Sequence, residues 1–304
     1  MRLVSYGPGG AEQPGVLVED GSAIVPLAPL WRELGQPPAD MTAVIGLLPW
    51  LREAIDDAVA RSRERVDRTT VRLGPPVPRP SKVIVCGLNT HSQWEEAQPF
   101  YASAAPRRPP LVLRPPTNVS GPHDAIACPP VAAQVDYEAE LAVVIGRAAR
   151  RVARADAERH IAGYMCAQDL TSQALVRSDT DINPLFVAPT LGKGVDSFCP
   201  TGPWLASADE VADPAALSIR AWVNDELRQD SSTADLIVGV PELVEWLSAT
   251  FALLPGDIIL TGTPAGMGGA LDPPQLLRPG DVVRTAISGL GEMVNRVEEV
   301  GSGD

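Results

Sequence analysis

The sequence predicts a mixed, β-rich α+β fold, and three observations lead to that expectation. The 304-residue chain carries 31 prolines and 26 glycines, which punctuate it into short segments joined by many turns. The apolar runs between them are short and made of β-formers, as in "VIVC" and "LAVVIG". Only a few stretches keep a helical spacing. At 45% hydrophobic and 21% charged residues the composition is globular. The length allows one large core, or a small domain beside a larger one.

Taken in order, residues 1–30 read as short strands, "RLVSYG", "PGVLVEDG" and "SAIVPLA", separated by Gly/Pro turns. Two helices follow, "DMTAVIGLL" and "PWLREAIDDAVARSRERV". Pro49 suits the first turn of the second helix, and Leu51, Ile55, Ala58 and Val59 make one buried stripe along it. The proline-rich stretch "LGPPVPRPSK" (73–82) is a stiff linker. It divides a small N-terminal α+β domain, residues 1–75, from a larger domain, residues 76–300.

Past the linker, "KVIVCGLN" is a buried strand running into a loop, and "FYASAAPRRPPLVLRPPTNVSGPHD" is mostly extended and irregular. "VDYEAELAVVIG" (135–146) and "HIAGYMCAQD" (160–169) are apolar strands, and "VPELVEWLSATF" is a short helix packing Leu243, Val244 and Leu247. "LLPGDIIL" and "LRPGDVVR" each place Pro then Gly at the centre of a type II turn that leads into a strand. The terminal "GSGD" is expected to fray.

Charge and cysteine content narrow the function classes. Asp+Glu exceed Lys+Arg by 38 to 25, a net charge of −13, which argues against nucleic acid or an anionic membrane as a partner. No run approaches the roughly 18 apolar residues of a membrane span, and the N-terminus has no apolar leader region. Cys86, Cys128, Cys166 and Cys199 are far apart, and Cys86 and Cys166 look like small buried hydrophobes. A reduced, cytoplasmic protein is the economical expectation.

The strand 135–146 poses a chemical problem. Side chains alternate across a strand, so Glu138 and Glu140 share a face, their Cα atoms roughly 6.6 Å apart. Like charges side by side in an apolar strand lose hydration and repel, unless the face is wet or a cation neutralises them. Either a half-exposed strand or a divalent-metal site satisfies this. The metal reading needs a third oxygen ligand, and Asp169, closing its own apolar strand in "AQDLTS", supplies one; its alternative role is a helix N-cap. Three carboxylates with no nearby His or Cys suit a hard ion, Mg²⁺ or Mn²⁺ with Ca²⁺ possible, rather than zinc.

"VDYEAELAVVIG", "AGYMCAQDLTS", "GKGVDSFCPTGPWL", "ILTGTPAGMG" and "RPGDVV" together resemble the fumarylacetoacetate hydrolase (FAH) family, in its acylpyruvase and catechol-pathway hydrolase/isomerase branch. The resemblance spans nearly the whole chain. It implies a β-roll core, a homodimer, and an enzyme acting on a small β-keto acid or 1,3-dicarbonyl compound. C–C bond hydrolysis of an acylpyruvate-like oxo acid is the default reaction. Glu138, Glu140 and Asp169 match the family's metal ligands, and Lys193 matches a lysine that donates to a substrate carboxylate or enolate oxygen. Thr263 matches a loop whose hydroxyl and backbone N–H groups hold the substrate carboxylate. Each also has a plain alternative, a surface lysine and a turn threonine.

Departures from the pattern bear on the reaction. The family lid segment usually reads Gly-Leu-Asn-Tyr-x-x-His, with a Glu that helps the His activate water; here it is "GLNTHSQWEEA". Gln93 stands at the His position and cannot act as a general base. Glu96 matches the acid, and His91, two residues earlier, is a candidate replacement base. An S-x-x-E capping box at Ser92–Glu95 would start a helix at Ser92, leaving His91 before it. Gln173 and Val176 stand where the family commonly shows Arg and Gln near the substrate, so Gln173 is a candidate substrate contact. These changes keep open decarboxylase, tautomerase or lyase chemistry through a metal-stabilised enolate, and an inactive metal-binding scaffold. His123 and His160 lie outside any ligand spacing and are expected to be structural.

Overall fold

Alternate residues of the strand Ala139–Ile145 feed two different cores. Leu141, Val143 and Ile145 pack on one side against Ile219, Ala221, Ile287 and Met293 and against the helix Val240–Thr250. Ala142 and Val144 face the other way, toward Val44, Ile45, Leu48 and Ile55 of the helix Met41–Arg61. A strand buried on both faces must be apolar throughout, which is why "LAVVI" shows no polar alternation.

The structure is a computed structural model and describes residues 1–36, 39–98, 105, 107–177 and 189–301. Among the described residues the strands form three sheets. The largest has eleven strands. Its centre is Cys199–Ser207, Ile161–Gln168, Ala139–Ile145, Ile258–Leu260 and Val83–Cys86, in that order. Ile258–Leu260 pairs in parallel with Val83–Cys86 and antiparallel with Ala139–Ile145, so the sheet is mixed. A five-stranded sheet, built around Ser218–Val223 and Val282–Ile287, covers one face. The β-rich α+β class expected from the sequence is the class observed.

The expected N-terminal strands are Arg2–Tyr6, Gln13–Val18 and Ala23–Pro26. Arg2–Tyr6 pairs directly with Cys199–Ser207, so the large sheet runs across the boundary expected at 75/76. Both Pro-Gly turns are of type II, with Gly256 at φ +85° and Gly280 at φ +97°. Asp257 N–H and Asp281 N–H close them onto Leu254 O and Arg278 O at 3.0 Å.

Three local expectations are corrected. The two helices around Pro49 are one, Met41–Arg61, capped by Asp40 accepting from Ala43 N–H at 2.8 Å. The continuous buried stripe Val44, Ile45, Leu48 and Ile55 holds the chain helical through the proline. The strand 135–146 is interrupted. Val135–Asp136 turns aside to pair with Thr171–Ser172, and regular pairing resumes at Ala139. The lid helix runs His91–Ala97, capped by Thr90, whose Oγ accepts from Gln93 N–H at 3.2 Å. Ser92 is inside the helix, its hydroxyl donating to Asp235 at 2.5 Å. Residues 100–104 and 106 of the stretch read as extended, and 302–304 of the expected frayed end, lie outside the described residues.

Candidate metal centre and active site

Register assembles the three acids. Glu140 stands opposite Ala167, and Ala139 opposite Gln168, so the next step in the antiparallel ladder sets Glu138 against Asp169. Asp169 N–H donates to Glu138 O at 2.9 Å, and the Gln168 side chain accepts from Glu138 N–H at 2.8 Å. Partners across a ladder share a face, so all three carboxylates emerge on one side. One ligand oxygen from each lies within 4.8 Å of the others, and all three residues are buried. The wet-face alternative fails, because Glu138 and Glu140 are 6% and 1% exposed.

Two cations meet this cluster. Lys193 Nζ donates to both Glu138 carboxylate oxygens, at 3.0 and 3.1 Å, to Thr171 Oγ at 2.8 Å, and to Asp169. Arg114, at the end of the strand Leu111–Arg114, pairs with the other Asp169 oxygen and donates to Phe198 O at 2.7 Å. Close approach of Lys193 depends on Gly192, where a Cβ would sit 2.3 Å from Val176 Cγ2. Among the described residues Glu140 makes no ion pair; its carboxylate accepts from Gly262 N–H at 2.6 Å.

The electrostatics follow. Against the cost of burial, Lys193 and Arg114 hold the Asp169 carboxyl below its ordinary value. Burial pushes Glu138 up to about 7 despite Lys193. Burial, with Asp169 and Glu138 beside it, drives Glu140 well above the usual carboxylate range. Three buried carboxylates against two side-chain cations leave a deficit of positive charge at Glu140. An all-oxygen donor set with that deficit fits a hard divalent ion.

The remaining expected residues divide. Thr263 adjoins Gly262 in the loop over Glu140; its carbonyl accepts from Thr90 Oγ at 2.7 Å and its hydroxyl from Gln229 Nε2 at 2.8 Å. Gln93 is buried, its Nε2 on Met267 Sδ at 3.3 Å. Glu96 accepts from Gly266 N–H at 2.9 Å, and burial raises its carboxyl above the ordinary value. His91 is exposed. Gln93 lies two positions on, roughly 200° around the helix axis, so the two side chains point apart. Gln173 is half-buried at the start of the short helix Gln173–Val176, which packs on Pro189–Lys193. His123 is exposed, and His160 Nδ1 lies 3.3 Å from Arg147 O.

Four residues that matter here were not anticipated: Arg114, Asp136, Thr171 and Gln229. Asp136 is fully buried and accepts from Gly268 and Gly269 N–H, both at 2.8 Å, tying the 266–269 loop to the acid strand. The "VDYE" stretch offered one signal, a third acid at the alternate position before Glu138.

The chain matches the fumarylacetoacetate (FAA) hydrolase C-terminal family over residues 82–298. It belongs to the FAH family. A mitochondrial oxaloacetate tautomerase of Bos taurus is 38% identical over 240 residues, 79% of this chain and 74% of the relative. A probable 2-hydroxyhepta-2,4-diene-1,7-dioate isomerase from Mycobacterium abscessus superposes with a TM-score of 0.80 at 37% identity, covering 99% of each chain. Maleylpyruvate hydrolase from Sphingobium sp. SYK-6, in complex with manganese(II) and pyruvate, gives 0.79 at 33% identity, covering 98% of this chain and 99% of that one. This FAH-family protein is therefore an enzyme, and members of its family act on small molecules. The scaffold alternative is set aside. Among the described residues no helix is long and apolar enough to cross a membrane. All four cysteines are free, three of them buried.

Proposed function

We propose that this FAH-family enzyme is a divalent-metal-dependent tautomerase of a small β-keto acid of the oxaloacetate type. One observation carries the reading: the lid position from which family hydrolases activate water is filled by a buried Gln93, whose amide rests on Met267. A carboxamide does not titrate, and His91 faces solvent, so the imidazole through which the lid acid would activate water is missing. Enolate chemistry keeps its parts. Mg²⁺ or Mn²⁺ held by Glu138, Glu140 and Asp169 would chelate two substrate oxygens and stabilise an enolate as a Lewis acid. Lys193 donates to the enolate oxygen, and Thr263 holds the substrate carboxylate. Glu96, its carboxyl raised by burial, carries the proton between substrate carbon and oxygen. Gln93 and Gln173 line the substrate. The similarity to an oxaloacetate tautomerase supports this reading.

Hydrolytic C–C cleavage is the second reading, favoured by the likeness to maleylpyruvate hydrolase. We further place the catalytic unit in residues 76–300 and take the protein as a cytoplasmic homodimer, which light scattering on the purified protein checks for assembly.

The test compares the unaltered protein with Gln93→His, both with Mn²⁺. Ketonisation of enol-oxaloacetate is followed by its ultraviolet absorbance, and acylpyruvate hydrolysis by product formation. The unaltered protein should ketonise rapidly and hydrolyse poorly. Gln93→His should raise hydrolysis by about 10²-fold, the low end of general-base assistance, with little change in ketonisation. Vigorous hydrolysis by the unaltered protein would overturn the tautomerase reading.

A further inference from the structure

We infer that Gln229 is a positioning residue that holds the Thr263 hydroxyl so that its hydrogen is free to donate to a substrate carboxylate. The inference rests on the reading above that Thr263 meets the substrate carboxylate. Gln229 lies in the strand Glu226–Ser232 of the five-stranded sheet, fully buried, and reaches across to the large sheet. Its carboxamide is committed at both ends. Oε1 accepts from Ala139 N–H at 3.0 Å, and Nε2 donates to Pro264 O at 2.9 Å and to Thr263 Oγ at 2.8 Å. A backbone N–H can only donate and a carbonyl can only accept, so these partners fix which end is oxygen and which is nitrogen.

The consequence falls on Thr263. A hydroxyl that accepts from an amide N–H turns its own hydrogen elsewhere. Among the described residues that hydrogen has no protein acceptor, and the Thr263 backbone N–H makes no hydrogen bond either. The Thr263 carbonyl is already taken by Thr90. Thr263 thus keeps two free donors, the hydroxyl hydrogen and the backbone N–H, in a loop whose preceding residue, Gly262, donates to Glu140. Two free donors on one residue suit a carboxylate, whose two oxygens can accept from both. Gln229 also meets the loop sterically. A Cβ at Gly266 would lie 2.1 Å from Arg228 O and 3.4 Å from Gln229 Cγ, so loop and strand are in close contact.

The experiment is a double-mutant cycle, Gln229→Met, Thr263→Val and both together. Oxalate affinity is measured on the Mn²⁺-loaded protein, and Mn²⁺ affinity separately. Thr263→Val should weaken oxalate about tenfold, the worth of one charge-assisted hydrogen bond. Gln229→Met should weaken it about three- to tenfold and add nearly nothing once Thr263 is valine, with Mn²⁺ affinity held within about twofold. Losses that multiply in the double variant would show that Gln229 acts by packing alone, overturning the inference and leaving the Thr263 reading intact. No loss in Thr263→Val would overturn both. Should Gln229→Met fail to fold, Thr263→Ser carries the test. A serine hydroxyl still held by Gln229 keeps oxalate affinity within about threefold, whereas a tenfold loss would mean that the threonine methyl, not the oriented hydroxyl, is what counts.

Discussion

Glu140 differs from Glu138 and Asp169 in making no ion pair among the described residues, and that asymmetry governs how the site should take up a metal. Glu138 is pushed up to about 7 and Glu140 well above its ordinary range, both chiefly by burial. Carboxylates must be unprotonated to ligate, so loading an ion near neutrality displaces protons. With pKa values raised, the protonated forms that compete with metal prevail below about pH 7. Apparent Mn²⁺ affinity should therefore fall as pH falls, by about tenfold for each proton displaced per pH unit. Calorimetric titration at about pH 6 and pH 8, in buffers of different ionisation enthalpy, reads both the affinity and the protons released. Affinity independent of pH, with no proton release, would mean that the acids are already ionised. At this scale the sequence was informative where chemistry shows in residue type: Glu138, Glu140, Asp169 and Lys193 were legible. Arg114 and Gln229 were not, because each reaches the site from a segment with no motif of its own, and only the packing of distant strands brings it there.

Strand elements were legible where burial on both faces leaves a plain apolar run, as in Ile161–Gln168. Their exact ends were not. The break before Ala139 arises because the Gln168 side chain, rather than a backbone carbonyl, accepts the Glu138 N–H, and no local pattern announces that. The helix through Pro49 was missed because proline signals a helix start more often than an interior tolerated for the sake of tertiary packing. Gly163 shows what a strand contact demands of one residue. A Cβ there would meet Ala206 O at 1.9 Å, on the neighbouring strand Cys199–Ser207. Gly163→Ala must push two central strands apart or twist one of them. Its cost should be about 2–4 kcal/mol, at the upper end for overpacking. Urea unfolding of the metal-free protein reads it as a lowered midpoint. A loss under about 0.5 kcal/mol would show that the strands yield freely.

Across the whole molecule, the proline-rich linker invites a cut at 75/76, yet the packing joins what the linker separates. Leu3, Val16, Leu27, Trp31, Val44, Ile45 and Ile55 share one core with Val83, Ala142, Val144, Met165 and Leu205. Ala142 and Val144 lie on the strand that carries Glu140. Removing residues 1–75 would open that core and strip Cys199–Ser207 of its partner Arg2–Tyr6. Each large side chain so exposed forfeits about 1.5–3 kcal/mol, and several such losses exceed the roughly 5–15 kcal/mol by which a domain is stable. A bare central strand edge also invites aggregation. The fragment 76–304 expressed alone should therefore show no cooperative thermal transition and bind Mn²⁺ at least about a hundredfold more weakly than the full chain, since the acid cluster depends on the register of those strands. Full affinity and a sharp transition in the fragment would instead make 75/76 a true folding boundary, with the N-terminal strands a detachable extension of the sheet.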